Sequence, residues 1–438
     1  MENFRIESLE INEIGPFIHL ELTFPFKEMS FKNLNKAEIH ILTGGNGTGK
    51  STILDSIVYT VNYKSDIGPL KSLFSKRLWG YPKNSDNKSS LKVRWKDEEF
   101  VCENTRSSWE IDPSKGNMTE EYLDFQVNDK LGFRTAFFSY SGYRHIDETK
   151  ILGIQEIQEH PLKDAHNFYL SINPQNFIQW LVNVQTRELI AKGKGDIPKA
   201  TKYRSTIEII EKALGEIIDS EVKFDLEEEP LGVKIKVDGQ TLNFDQLPDG
   251  LKSMVSWMGD LLMRMDRLKW VNDTPVLERN FILLLDEIEV HLHPAWQRKI
   301  LPVVQKLFKN AQIFISTHSP FVVGSVDGAW VHRFEKKDGY SVLAGPPILS
   351  EDAKSYDYIL EEIFGVKERF GVEIERKLQD FQALKASFLA EQRQEDAIRV
   401  HQLVKELSGQ STELDSILGM ELRQLKRLTN QDFSLTEV

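Results

Sequence analysis

The run Gly44-Gly45-Asn46-Gly47-Thr48-Gly49-Lys50-Ser51 has the spacing G-x-x-x-x-G-K-[ST]. Gly44, Gly47 and Gly49 allow the backbone to turn until several N–H groups aim at one phosphate. The helix that follows adds its positive N-terminal end. Lys50 is placed to meet the β- and γ-phosphates of a nucleoside triphosphate, and the Ser51 hydroxyl to ligate Mg²⁺. Asn46, Thr48 and Thr52 complete this candidate set.

Three further groups of residues add to it. Asp286-Glu287 follows the apolar run Phe281–Leu285. Carboxylates at the end of a buried strand are costly without cationic partners. Asp286 can hold the metal, and Glu287 can polarise an attacking water as general base. His318, in Ser316-Thr317-His318-Ser319-Pro320, can hydrogen-bond the γ-phosphate and that water. Gly250, in Leu247-Pro248-Asp249-Gly250-Leu251-Lys252-Ser253, opens a helix and offers a second phosphate cradle; read alone it is a turn and a helix start. His291 and His293 stand two apart as a metal pair would, but no further His or Cys pattern accompanies them.

These residues need a scaffold that brings strand ends together. Ile39–Leu42 is a buried strand entering the glycine loop, and Ile53, Leu54, Ile57 and Val58 then repeat at helical spacing. Phe281–Leu285 and Ile313–Ile315 are continuous apolar runs, suited to a parallel sheet buried on both faces. Residues 4–24 predict two short strands turned at Gly15-Pro16. Phe177, Trp180, Leu181 and Val184 mark one amphipathic helix. Ile207, Ile210, Leu214, Ile217 and Ile218 mark another, beyond a flexible polar link at Ala191–Asp196. Alternation at Val233, Ile235 and Val237 before Asp238-Gly239 predicts a hairpin. Beyond about residue 351 the apolar positions step by three and four from Phe370 to Leu428, which predicts helices.

Composition limits the alternatives. The 438 residues predict about two to four units. Lys plus Arg is 55 against 67 Asp plus Glu, a formal charge of −12, so bulk charge does not favour a polyanion. Residues 64–95 are locally basic and offer a possible DNA or RNA contact, or a solvated insertion. The single cysteine, Cys102, allows no internal disulfide. No window has the ~18 apolar residues of a membrane span, and the first residues lack a signal-peptide core. The expectation is a cytoplasmic protein without a membrane partner.

In their order along the chain, these motifs resemble those of the ABC-type ATPases, in the branch with RecF, SMC and OLD-like proteins. The resemblance covers roughly 1–60 and 240–325. It implies an α/β fold: an ABC-type P-loop ATPase head with a mixed β-sheet, a helical insertion and a C-terminal helical region. It implies ATP and Mg²⁺ as cofactors, and Gly250 of one subunit capping the γ-phosphate held by another in head-to-head dimers or higher oligomers. Pro248 stands where the signature usually has serine, which removes a hydroxyl donor. The form Glu289-Val290-His291-Leu292-His293-Pro294, with Tyr140-Ser141-Gly142-Tyr143-Arg144 earlier, resembles the Septu and retron-associated ATPases of anti-phage defence. That likeness implies an HNH nuclease acting in trans.

The expected organisation is 1–150 for the first part of the head and 151–220 for the helical insertion. Residues 221–350 form the second part of the head, and 351–438 a helical docking or oligomerisation region. A RecF-like DNA-binding repair ATPase is the alternative. A transporter subunit fits less well, because no Q-loop glutamine is present.

Overall fold

The computed structural model describes residues 5–26, 36–62, 90–95, 98–105, 108–111, 133, 135–142, 151, 153–166, 168, 174–271, 274–351 and 353–429. Most of the basic stretch at 64–95 lies outside them, as do Tyr143 and Arg144. The chain forms two compact units, Met1–Phe364 and Gly365–Val438.

In the first unit, β1 (Ser8–Ile14) and β2 (Phe17–Thr23) make an antiparallel hairpin. β3 (Glu38–Gly44) then runs into helix α1 (Lys50–Asn62). β4 (Ser90–Trp95), β5 (Glu98–Thr105) and β6 (Ser108–Ile111) extend the hairpin to a five-stranded antiparallel sheet. β7 (Ala136–Tyr140) precedes helices α2 (Pro174–Gly193) and α3 (Ile197–Ile218). The expected flexible link between those helices is a tight turn. Asp196 N donates to Ala191 O at 2.9 Å, and the Asp196 carboxylate caps α3 by accepting from Lys199 N.

β8 (Val222–Glu228), β9 (Leu231–Val237) and β10 (Gln240–Leu242) form a small antiparallel sheet. Asp238 and Gly239 both take positive φ, as a two-residue hairpin turn requires. The rest of the unit runs α4 (Asp249–Arg267), β11 (Phe281–Leu285), α5 (Pro294–Leu307), β12 (Ala311–Ser316) and α6 (Pro320–Val323). It ends with β13 (Trp330–Lys337), β14 (Tyr340–Leu343), β15 (Ile348–Leu349) and α7 (Tyr356–Glu362).

The central sheet has the order β14-β13-β3-β12-β11-β7, with β15 also paired to β13. From β13 to β7 the strands are parallel; β14 and β15 are antiparallel additions. The sheet is therefore mixed. Its continuous apolar strands divide by the period of two between two cores. Phe281, Leu283 and Leu285 face the core that α2, α3, α4 and α5 complete. Ile282 and Leu284 face the core shared with α1 and the β1–β2 hairpin. Both faces are covered, so the polar chemistry is left to the strand ends. β3, β12, β11 and β7 point the same way, and their C-terminal ends lie along one edge. In an open parallel sheet this edge is where ligands bind.

The second unit contains α8 (Val372–Glu391), α9 (Gln394–Leu407) and α10 (Thr412–Thr429). Phe381, Phe388, Val400, Val404 and Leu425 pack as one core, and Leu407, Leu414 and Leu418 as another. These are residues of the three-and-four pattern. Helix α7 lies in the first unit, with the Tyr356 and Phe321 rings 5.0 Å apart.

Candidate functional site

The loop after β3 has the backbone its glycines suggest. Gly44, Gly47 and Gly49 have φ of 145°, 73° and 90°. Space is as restrictive as conformation. A Cβ on Gly44 would lie 2.2 Å from Phe334 O, and one on Gly49 would lie 2.5 Å from the Phe17 ring. The loop is thus wedged between β13 and the β1–β2 turn. Thr48 closes it with a hydroxyl bond to Gly45 O at 2.9 Å.

Lys50 is buried and folded back over this loop. Its Nζ donates to Gly44 O at 3.0 Å and to Gly45 O at 3.1 Å. Burial lowers its pKa, and the nearby carboxylates Asp286, Glu287 and Glu289 oppose that shift. Ser51 Oγ donates to Asp286 Oδ1 at 3.1 Å, across 235 positions of sequence. The two candidate metal-binding side chains therefore already converge. Thr52 lies against Gly15 of the β1–β2 turn, and Asn46 is exposed at the loop's crest.

Ser316, at the end of β12, organises the carboxylates. Its hydroxyl donates to Asp286 Oδ1 and accepts from Glu287 N at 2.8 Å. Asp286 N donates to Tyr140 O at 2.9 Å at the end of β7. Glu287 has a left-handed φ of 47°, a conformation that costs a non-glycine residue about 1 kcal/mol or more. Gly142 makes room for it: a Cβ there would come within 2.9 Å of Glu287 Oε2.

His318 is brought to the same edge. Its backbone N–H donates to the Glu289 carboxylate. Burial and the charge of Lys50 push the His318 pKa down, while Asp286 acts against them. Burial raises the Glu289 pKa, opposed by its bonds from His318 N and the Thr317 side chain.

Gly250 is placed differently from the others. It is buried in the first turn of α4, where a Cβ would lie 2.6 Å from His291 O and 3.0 Å from the Trp296 ring. It packs on the segment that follows Glu287. His293 caps α5, its Nδ1 accepting from Ala295 N at 3.2 Å. Among the described residues no cluster of three His, Cys, Asp or Glu side chains is set to hold a metal.

Sequence reasoning gave no role to Ser316, Glu289 or Tyr140. The signal for Ser316 was faint: a hydroxyl ending a buried strand must find a partner. Tyr140 also links the edge to α4, because its hydroxyl donates to Asp260 Oδ2 at 2.9 Å, where Arg264 Nε bonds as well.

The family described as "AAA domain, putative AbiEii toxin, Type IV TA system" matches residues 196–324, a span holding Gly250, Asp286, Glu287 and His318. The "Retron Ec83 probable ATPase" of Escherichia coli is 28% identical over 229 residues. The Septu protein PtuA of Bacillus thuringiensis is 22% identical over 334 residues, covering 73% of this chain and 72% of its own. The chain is thus similar to a retron protein named as a probable ATPase and to a Septu protein. The "Retron Vc95 probable ATPase" of Vibrio cholerae is a third, 21% identical over 381 residues and covering 73% of each chain. The match to the retron Ec83 protein takes in 52% of this chain but only 40% of that relative.

Proposed function

We propose that the chain binds ATP with Mg²⁺, hydrolyses it at a site shared between two copies, and so controls a partner nuclease in anti-phage defence. The observation that carries the reading is the 3.1 Å bond between Ser51 of the phosphate loop and Asp286 of the carboxylate pair. Two distant motifs meet at one point, with a buried lysine beside them.

The residues fit both groups. The positive-φ glycines and the N-terminus of α1 form a cradle for phosphate oxygens. Ser51 and Asp286 would hold the Mg²⁺, which supplies charge neutralisation on the phosphates. Lys50 leaves its two carbonyls to meet the β- and γ-phosphates. Glu287 accepts a proton as water oxygen bonds to the γ-phosphorus and the bond to the bridging oxygen of ADP breaks. His318 hydrogen-bonds the γ-phosphate and that water.

Sharing between copies is supported by the resemblance of the Leu247–Ser253 segment to the ABC signature. In one chain Gly250 is buried against His291 O and the Trp296 ring, and Pro248 and Asp249 are the exposed residues of that turn. The nuclease reading rests on the Septu and retron relatives and would use an HNH endonuclease supplied in trans. Direct DNA contact has its support in the basic residues of 64–95 alone.

The test is ATP-dependent assembly of the Glu287→Gln variant. Dimers that form with ATP and Mg²⁺, and not with ADP, support the shared site. A variant that binds ATP yet stays monomeric overturns it.

A further inference from the structure

We infer that Lys336, on β13, is a second phosphate-binding cation of the nucleotide site. The inference rests on the ATP reading and names a residue that none of the motifs contains. β13 runs parallel to β3, with Phe334 opposite Gly44. β3 ends there and gives way to the loop, but β13 continues to Lys337. Residues two apart on a strand share a face. Phe334 turns into the core shared with α1 and the β1–β2 hairpin, and Lys336 is carried along that same side, beside the loop. Its Nζ lies 3.2 Å from where a Cβ on Gly47 would stand.

The electrostatics give that position a meaning. Lys50, the loop N–H groups and the N-terminus of α1 add positive charge here, with the carboxylates Asp286, Glu287 and Glu289 near Lys50. An ammonium group is repelled from such a place unless an anion joins it. Among the described residues no carboxylate pairs with Lys336, whose side chain is exposed. A polyphosphate in the cradle supplies the missing charge. Lysine suits this role as a compact, flexible point charge. Lys50 would then hold the phosphates from inside the loop and Lys336 from its Gly47 rim.

The test is equilibrium binding of ATP to the full chain by calorimetry, with Mg²⁺ present and at two salt concentrations. Lys336→Met is expected to weaken ATP binding about tenfold at low salt, and less at high salt, where screening weakens the lost interaction. Lys336→Arg should stay within about threefold of the original chain, and Lys336→Glu should bind worse than Lys336→Met. Equal melting temperatures would show that the variants fold. ATP affinity of Lys336→Met within twofold of the original, while Lys50→Ala abolishes binding, would overturn the role of Lys336 and leave the ATP reading standing. No ATP binding by the original chain would overturn both.

Discussion

The Ser316 hydroxyl donates to Asp286 Oδ1 while accepting from the backbone N–H of Glu287. One side chain thus sets the carboxylate proposed for the metal and the backbone of the proposed base. Ser316 is fully buried at the end of β12, next to β3 and β11 in the sheet. Its side chain therefore ties the end of β12 to the residues that follow β11.

Replacing Ser316 with alanine leaves Asp286 and Glu287 N without that partner. A hydrogen bond to a charged group contributes about 1.5–3 kcal/mol. The expected outcome is hydrolysis slowed roughly 10- to 100-fold, with ATP affinity weakened less. Steady-state phosphate release and calorimetric binding, measured on the same preparation, check the split. Equal losses in both would place Ser316 in binding alone.

Gly142→Ala tests the seat of Glu287. The added Cβ would press on Glu287 Oε2 at 2.9 Å. The carboxylate is the free end of a side chain and moves, while Glu287 Cβ, 3.2 Å from the new atom, gives by a few tenths of an ångström, so the fold survives. Hydrolysis should fall by about tenfold or more, as expected when a general base is displaced. ATP binding should be unchanged. A variant with the original turnover would mean that Glu287 acts from another position.

Gly44→Ala should fail in a different way. The new Cβ would stand 2.2 Å from Phe334 O, and Gly44 has φ of 145°. Backbone does not yield as a side chain does, so the cost should be on the order of 3 kcal/mol or more. The expected result is a lower melting temperature together with lost nucleotide binding. A variant that melts at the original temperature would contradict the wedge between β13 and the loop.

These contrasts mark what could be read in the chain. The phosphate loop, Asp286-Glu287 and the buried strands before them were legible because glycine spacing and apolar runs are local signals. The order β13-β3-β12-β11-β7 was not, since nothing local states which strand lies beside which. Roles that depend on that order were hidden with it. Ser316 reaches Asp286 across 30 positions, and Lys336 reaches the loop only because β13 pairs with β3. Gly250 was found through resemblance to a family signature, and its packing against Trp296 had no sequence mark.

Acid should weaken the fold through its buried histidines. Burial holds His332 down to about 3 and His166 to about 4. In the unfolded chain both take up protons near 6.5. As the pH falls below 6.5, the unfolded state binds more protons, so stability present above 6.5 is lost toward the folded values. His332 sits beside His40, which is bonded to Glu38. Melting temperature should drop between pH 7 and pH 4.5, and less steeply for His332→Phe. Parallel curves for the two chains would remove His332 from the explanation.

The central claim is that Gly44–Ser51 and Asp286-Glu287 form one hydrolytic ATP site. It is tested most directly by measuring ATP binding and phosphate release together, for the original chain and Glu287→Gln. The account predicts that both bind ATP with Mg²⁺, and that release falls at least ~100-fold in the variant. Release at the original rate from Glu287→Gln, or no ATP binding by the original chain, would contradict it.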